Sequence, residues 1–179
     1  ALLVLFVRNL IQEHSRTQME KEAFELARSG YKTAAVARYQ QQAEKYPDAG
    51  HNWFLYAQQL YYSNQLPKSM KVLKQGMMYY VDNKMYKLKA DIELEIGMYE
   101  MAEQSYLRAI YMVPNRMGSR LDLLNFYLNR KDTTKAIYWA GSILNMRIKI
   151  PSDKVEKMLL QVQGINKRLK EEAVSGKRN

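Results

Sequence analysis

The sequence predicts an all-α protein: an α-α superhelix of about four helical hairpins, closed by a C-terminal capping helix. Two observations predict this fold class. The 179 residues include only 4 prolines and 8 glycines, too few for the many turns of an all-β chain. Small and bulky residues also recur at a spacing of about 34 residues, which indicates stacked helical repeats.

The repeat is clearest in one segment, where six positions are filled at fixed spacing by Gly97, Tyr99, Ala102, Tyr106, Ala109 and Pro114. Weaker copies occur at the same spacing on both sides, marked by Gly30, Ala35, Tyr39, Pro47, Trp53, Ala57, Ser69, Gly76, Leu123, Tyr127, Ala136 and Ala140. This pattern resembles the tetratricopeptide repeat. The resemblance implies antiparallel helix pairs that stack into a right-handed solenoid.

The alternation of small and bulky residues has a packing reason. Small side chains let two antiparallel helices approach closely, and large ones fill the gaps beside them. We therefore expect the small residues to be buried, and we expect bulky residues such as Tyr99 to fill gaps. Two substitutions depart from the repeat: Asn64 and Lys131 replace the glycine of the hairpin turn. Lys89 and Glu93 occupy positions that usually pack, which predicts a looser or rotated helix there.

The two ends of the chain differ from the repeats. Four segments are predicted: an apolar lead-in over 1–12, the solenoid over 13–150, a capping helix over 151–173 and a basic tail over 174–179. The lead-in is either the end of a membrane helix, which we favour, or a hydrophobic turn that packs on the solenoid. From about Leu10 to Arg28 one continuous helix is expected. Ser152 is expected to cap the last helix, whose apolar residues form one stripe.

Composition excludes several chemistries. The absence of cysteine rules out disulfides and cysteine-bound zinc. No catalytic, cofactor-binding or metal-binding constellation is present, so the chain is not expected to be an enzyme. The net charge of +10 lies mostly towards the C-terminus. It either attracts anions or makes a solubilising tail. Because it forms no stripe along the repeats, nucleic-acid binding is not expected.

A finer resemblance rests on the junction Val113-Pro114-Asn115-Arg116 and on the exit Ile148-Lys149-Ile150 before a proline and a serine. With the apolar start, these motifs resemble the C-terminal repeat domain of bacterial O-antigen ligase/polymerase-like membrane proteins. The resemblance implies a soluble appendage of an inner-membrane protein in surface-polysaccharide biosynthesis. The family's catalytic residues lie outside such a domain, so none is carried over.

The first helix of each repeat is expected to line a ligand groove for a protein or peptide partner, with a glycan as the alternative. The predicted groove residues are Phe54, Gln58, Tyr61, Tyr62, Lys87, Asp91, Glu95, Asn125 and Asn129. The Tyr61-Tyr62 and Tyr79-Tyr80 doublets should each expose one ring, because neighbouring helical residues point in different directions. A membrane-associated, periplasmic location is favoured over a cytoplasmic one. The ligand and the oligomeric state stay open.

Overall fold

A computed structural model describes residues 2–148 and 151–175. These residues form helices joined by short connections, and no strand occurs among them. The helices are α1 Leu2–Arg28, α2 Lys32–Lys45, α3 Gly50–Tyr62, α4 Leu66–Met77, α5 Asn83–Glu95, α6 Tyr99–Met112, α7 Met117–Asn129, α8 Thr133–Leu144 and α9 Asp153–Ser175. Residues 149 and 150 of the predicted exit motif and 176–179 of the predicted basic tail lie outside the described residues. The four predicted segment boundaries stay predictions.

The chain divides into two compact units, Ala1–Met98 and Tyr99–Asn179. Unit 1 contains α1 to α5, in which each helix packs on the next along the chain as far as α4 and α5. Unit 2 contains α6 to α9, packed in the same sequential manner. The hairpins α1/α2 and α3/α4 therefore lie within unit 1, and α7/α8 lies within unit 2.

The turns that follow α1, α3, α5 and α7 share one backbone geometry. Gly30 and Gly97 have φ angles of 84° and 80°, and Asn64 and Lys131 have φ angles of 58° and 57°. In each turn the amide of the residue after the left-handed one donates to the carbonyl five residues earlier, as in Gln65 N to Leu60 O at 2.9 Å. This is the Schellman ending of a helix, which needs a left-handed residue. The predicted turn positions are confirmed, including the two that carry no glycine.

The predicted small residues are buried at helix contacts. Ser69 is fully buried and its hydroxyl donates to the carbonyl of Ala57 at 2.7 Å. A Cβ added to Gly76 would lie 2.5 Å from the Cβ of Trp53, so α4 approaches α3 there too closely for any side chain at position 76. Tyr99 is an exception to the expected packing of bulky residues. It opens α6 and stays 36% exposed, and the guanidinium of Arg130 lies 3.8 Å from its ring centroid.

Helix α5 takes two charged residues into its packing. Glu93 is buried, and its carboxylate accepts a hydrogen bond from Lys89 Nζ at 2.5 Å. Leu88, Ala90 and Ile92 on the same helix are buried too. Pairing a buried carboxylate with an ammonium group offsets its loss of hydration, so Glu93 can lie within the packing. The expectation that α5 fits less tightly or is rotated stays a prediction.

The last helix has the predicted character of a cap. The amide of Val155 donates to Ser152 Oγ at 3.4 Å, which confirms the serine as its N-cap. Val162 and Leu169 are buried where α9 packs on α8, and the residues between them at helical spacing are half-buried. The predicted apolar stripe is confirmed. The stripe seals one side of unit 2 and leaves the charged side in solvent.

The first helix is continuous, as predicted, but its first turns are exposed. Every residue from Leu2 to His14 is exposed, including Leu2 at 84% and Ile11 at 64%. The alternative in which the apolar lead-in packs on the repeats is therefore wrong. None of the helices in the described parts of the chain combines the length and apolarity needed to cross a membrane.

Candidate functional site

Helix α3 is buried around most of its circumference, because α2, α4 and α5 all pack against it. The side chains of α3 that reach the surface are those of one narrow stripe and Trp53. The stripe runs through His51, Leu55, Gln58 and Tyr62, at alternating steps of four and three residues, with Tyr61 half-buried beside it. Such steps place side chains on one face of a helix. Trp53 lies off the stripe, and its indole Nε1 donates to the carbonyl of Pro47 at 2.8 Å, so the stripe holds most of the side chains that α3 offers to a ligand.

Helix α5 carries a matching stripe of charged residues. Lys84 and Glu95 are exposed, and Lys87 and Asp91 between them are partly exposed. The ammonium of Lys87 lies 2.7 Å and 3.1 Å from the two carboxylate oxygens of Asp91. Glu93 points away from this stripe into the packing, as its spacing predicts.

The two stripes meet at Tyr61. Partial burial is the main cause that raises the pKa of its phenol, and the nearby carboxylates of Asp91 and Glu95 raise it further, while Lys87 lowers it. The ring of Tyr61 meets that of Tyr62 edge-on, with centroids 5.7 Å apart. Together they form a surface that we name the α3/α5 face: Gln58, Tyr61, Tyr62, Lys87, Asp91 and Glu95.

Phe54 is not part of this surface. It is 6% exposed and belongs to the core cluster with Ala57 and Leu60. The prediction that Phe54 lines the groove is wrong, because α3 is covered on more sides than an outer helix and its buried sector is wider. His51 and Leu55 take that place in the stripe. A step of three residues back from Gln58 reaches Leu55, and a further step of four reaches His51.

Asn125 and Asn129 lie one helical turn apart on α7 and are exposed. They belong to unit 2, whereas the α3/α5 face belongs to unit 1. Their place in a ligand groove stays a prediction. The Tyr79-Tyr80 doublet is not helical, since α4 ends at Met77, and its rings are 45% and 50% exposed. The argument that a helix would bury one of these two rings is therefore wrong.

Unit 2 contains a second cluster of a tyrosine with a carboxylate. Tyr127 is buried, its hydroxyl donates to Glu103 Oε1 at 2.7 Å, and Lys135 Nζ donates to the same oxygen at 2.9 Å. Burial, followed by the hydrogen bond to Glu103, raises the pKa of Tyr127 far above its usual range. Burial raises the pKa of Glu103, but the hydrogen bonds from Tyr127 and Lys135 outweigh it and leave that pKa below the ordinary value.

Tyr62 also lines a cavity of about 360 Å³ that continues the α3/α5 face towards α2. Lys32, Thr33 and Val36 form its far wall, and residues 63–65 of the turn after α3 form its floor. The face therefore combines flat, exposed aromatic and charged groups with an adjoining recess. Within the described parts of the chain, no three His, Asp or Glu side chains are grouped as a metal site.

Comparison with solved structures bears on this arrangement. MamA from Desulfovibrio magneticus RS-1 is similar with a TM-score of 0.64 at 12% identity, over 89% of this chain and 92% of that one. YrrB, a TPR protein with an unusual peptide-binding site, is similar with a TM-score of 0.61 at 12% identity, over 92% and 83%. The chain has a tetratricopeptide-repeat fold.

A further repeat protein supports the same assignment. The C-terminal part of a TPR repeat-containing protein from Cytophaga hutchinsonii matches with a TM-score of 0.63 at 16% identity, covering 82% of this chain and 58% of that one. No family model matches the sequence, and no curated protein matches it. The likeness is one of fold, and it agrees with the predicted all-α solenoid of helical hairpins.

Proposed function

We propose that this chain is a protein-interaction module that binds an extended peptide segment on the α3/α5 face, and not an enzyme. The observation that carries the proposal is the pair Tyr61 and Tyr62, one half-buried and one 59% exposed, beside the carboxylates of Asp91 and Glu95. Tyrosine gives contact area and a hydroxyl at small cost in side-chain entropy. An exposed tyrosine next to a packed one combines a rigid support with free surface.

The charges of the face specify the peptide. Asp91 and Glu95 carry the two carboxylates of the face, and the ammonium of Lys87 lies against Asp91. Lys84, the other cation of the α5 stripe, lies about two helical turns before Asp91. Glu95 is exposed at the end of α5. A segment that places an apolar or aromatic residue on Tyr62 and a lysine or arginine near Glu95 matches this arrangement. The peptide-binding site of YrrB, which has a similar fold, supports a peptide as the ligand.

Selection from a random peptide library on the immobilised chain, followed by calorimetry, tests the proposal. We expect enriched peptides to carry lysine or arginine next to an apolar residue. Tyr62→Ala should weaken binding about tenfold, the usual effect of losing an anchor residue. Tyr138→Ala is the matched control, because Tyr138 is an exposed tyrosine of unit 2. Equal loss in both variants, or enrichment of acidic peptides, would contradict the proposal.

Glycan binding is the second candidate. It is favoured by the exposed Tyr62 ring four residues after the amide of Gln58 on the same stripe, since sugars stack on aromatic rings and hydrogen-bond to amides. Calorimetric titration with purified O-antigen oligosaccharide distinguishes the two. Heat that is present in the native chain and absent in Tyr61→Ala and Tyr62→Ala variants would favour the glycan. Negligible heat in all three would remove it.

We further propose that the module is tethered to the inner membrane on its periplasmic side, within surface-polysaccharide (O-antigen) assembly. The junction and exit motifs support the system, and the exposed apolar turns of α1 support the tether. Crosslinking in a polysaccharide-producing bacterium tests the system, and recovery of no assembly protein would count against it. Protease added to spheroplasts tests the side, because a periplasmic module is cleaved there and a cytoplasmic one is protected.

A further inference from the structure

The start of α1 is apolar on every side. Four consecutive residues from Leu2 to Leu5 already surround the helix axis, and all are more than half exposed. The exposed apolar set comprises Leu2, Leu3, Val4, Leu5, Phe6, Val7, Leu10 and Ile11. A protein partner or a second copy in a helix pair would cover one face and select for polar residues on the other. Lipid hydrocarbon surrounds an inserted helix on all its faces, so lipid fits a helix start that is apolar on every side.

The apolar positions at the start of α1 lie on both sides of a polar pair. Leu2 to Val7 are six consecutive apolar residues that extend about 9 Å, Arg8 and Asn9 follow, and Leu10 and Ile11 are apolar again. In a membrane, Arg8 would keep its stem in hydrocarbon and reach the headgroups with its guanidinium. Gln12 and Glu13 follow Ile11 directly and would lie at the level of the headgroups.

Cations and a tyrosine lie beside that level. Lys45, at the end of α2, places its ammonium 3.1 Å from Ser15 Oγ of α1 and 5.3 Å from the ring centroid of Tyr46. Arg16 shares a polar cavity of about 290 Å³ with Lys45 and Tyr46. The carboxylates of Glu13 and Asp48 also line this cavity, and Arg16 is paired with Glu13 at 2.7 Å. Lys45 at this level and the exposed Arg8 on α1 are therefore the cations placed to meet an anionic headgroup.

The loop between α4 and α5 lies at the same end of unit 1. Ala49 N donates to Tyr46 O at 3.1 Å, and the next residue, Gly50, is so close to Tyr80 that an added Cβ would lie 2.6 Å from the Cβ of that tyrosine. This loop exposes 76% of Met78, 45% of Tyr79 and 50% of Tyr80. Lys45, Tyr46, Met78, Tyr79 and Tyr80 form what we name the loop edge.

We propose that the loop edge rests on the surface of an anionic bilayer while the apolar start of α1 enters the adjacent leaflet. Tyrosine suits the headgroup boundary, where one end of the side chain is apolar and the other is wet. Met78 adds exposed apolar surface, and Lys45 adds attraction to anionic lipid. The inference rests on the tether of the proposed function and adds an orientation. Since α3 begins at this edge and ends at Tyr62, it holds the Tyr62 end of the α3/α5 face about 18 Å from the membrane.

Single-cysteine labelling tests the orientation, because the chain has no cysteine of its own. A polarity-sensitive fluorophore is attached in Phe6→Cys, Tyr79→Cys and Tyr31→Cys variants of the whole chain. Tyr31 is the matched control, an exposed tyrosine at the opposite end of unit 1 in the turn after α1. With vesicles of phosphatidylethanolamine and phosphatidylglycerol, we expect blue-shifted emission from the labels at positions 6 and 79 and no shift at position 31.

The outcomes separate the tether from the orientation. A shift at position 6 without one at position 79 would keep the tether and overturn the loop edge. Equal shifts at 79 and 31 would also overturn it. No shift at any position, with sedimentation showing a dimer that Leu5→Glu disrupts, would assign α1 to a second copy and overturn both. Lys45→Gln should weaken vesicle binding about fivefold on anionic vesicles and leave binding to neutral ones unchanged, and equal loss on both would contradict headgroup attraction.

Discussion

The two units each place a tyrosine beside carboxylates, and the two clusters differ in what surrounds them. In unit 2, Tyr127 is buried, and Glu103 receives hydrogen bonds from Tyr127 and Lys135. In unit 1, Tyr61 is half-buried near Asp91 and Glu95, and Tyr62 and Glu95 face solvent. The same residue types therefore form an internal hydrogen-bonded cluster in unit 2 and an exposed surface in unit 1.

The difference shows why composition alone does not identify a site. A buried hydroxyl with a charged acceptor contributes to stability and has no capacity left for a ligand. Exposed rings and carboxylates contribute little to stability, but they can be covered by a partner. The clusters should thus respond oppositely to mutation, one through unfolding and the other through binding.

The largest expected effect is on unit 2. Glu103→Ala leaves the buried hydroxyl of Tyr127 without its acceptor and should lower the free energy of unfolding by about 2–3 kcal/mol. Glu95→Ala removes an exposed carboxylate and should change it by less than about 0.5 kcal/mol. Urea unfolding followed by circular dichroism measures both. Similar unfolding midpoints for the two variants would contradict the distinction between a stabilising cluster in unit 2 and an exposed surface in unit 1.

The next effect is on binding through unit 1. Asp91→Asn with Glu95→Gln removes both carboxylates of the α3/α5 face and should weaken a selected lysine-containing peptide about tenfold, or about 1.4 kcal/mol. Calorimetry at low and high salt measures this, and the native chain should lose affinity as salt rises. Glu103→Gln is the matched control in unit 2. A loss as large in the control would show that the peptide does not select the face.

A smaller effect separates the two hydroxyls. Tyr127→Phe keeps the ring and removes the hydrogen bond to Glu103, so we expect a loss of about 1 kcal/mol in unfolding free energy. Tyr61→Phe should cost less than about 0.5 kcal/mol, because water can replace a partner at a half-buried position. Thermal unfolding by calorimetry reads both. A larger loss of unfolding free energy for Tyr61→Phe than for Tyr127→Phe would contradict the assignment of the stabilising hydroxyl to unit 2.

The smallest effect is a pH dependence of unit 2. The pKa of Glu103 in the folded chain lies below the ordinary value of 4.5. Its contribution is therefore fully present above about pH 4.5 and is lost as the pH falls through the lower folded value. The difference in unfolding free energy between the native chain and Glu103→Gln should shrink between neutral pH and pH 3. A difference that grows on acidification would reverse the assigned direction of the shift.

The turns and helix contacts were predictable because they depend on local backbone geometry. A left-handed residue is needed at a fixed position after each first helix, so Asn64 and Lys131 could be located from the spacing of Gly30 and Gly97. The exposure of single side chains was less predictable. Phe54 is buried and Tyr99 is not, since each depends on how many neighbouring helices cover that side, and a periodic pattern does not contain this number.

The site was predicted in part for the same reason. The exposure of Tyr62 and the partial exposure of Gln58 and Tyr61 agree with the repeat phase, and the charges of Asp91 and Glu95 raise the pKa of Tyr61. Their role in a ligand groove stays a prediction. The repeat phase missed His51 and Leu55, because the predicted stripe continued from Gln58 by four residues to Phe54, whereas the exposed stripe continues by three residues to Leu55. The loop edge had no repeat signal at all, since loops between repeats differ in length and composition.

Gly50 and Gly76 let the backbones of α3 and α4 approach closely at the open end of the second hairpin. Added Cβ atoms would lie 3.0 Å and 3.2 Å from the opposing carbonyl oxygens of Gly76 and Gly50, so even a methyl group acts as a wedge at one end of the helix pair. The far end is closed by the turn at Asn64, and α3 would have to pivot about it. A substitution at Gly50 or Gly76 would therefore change the slope of the α3/α5 face without touching any residue on it.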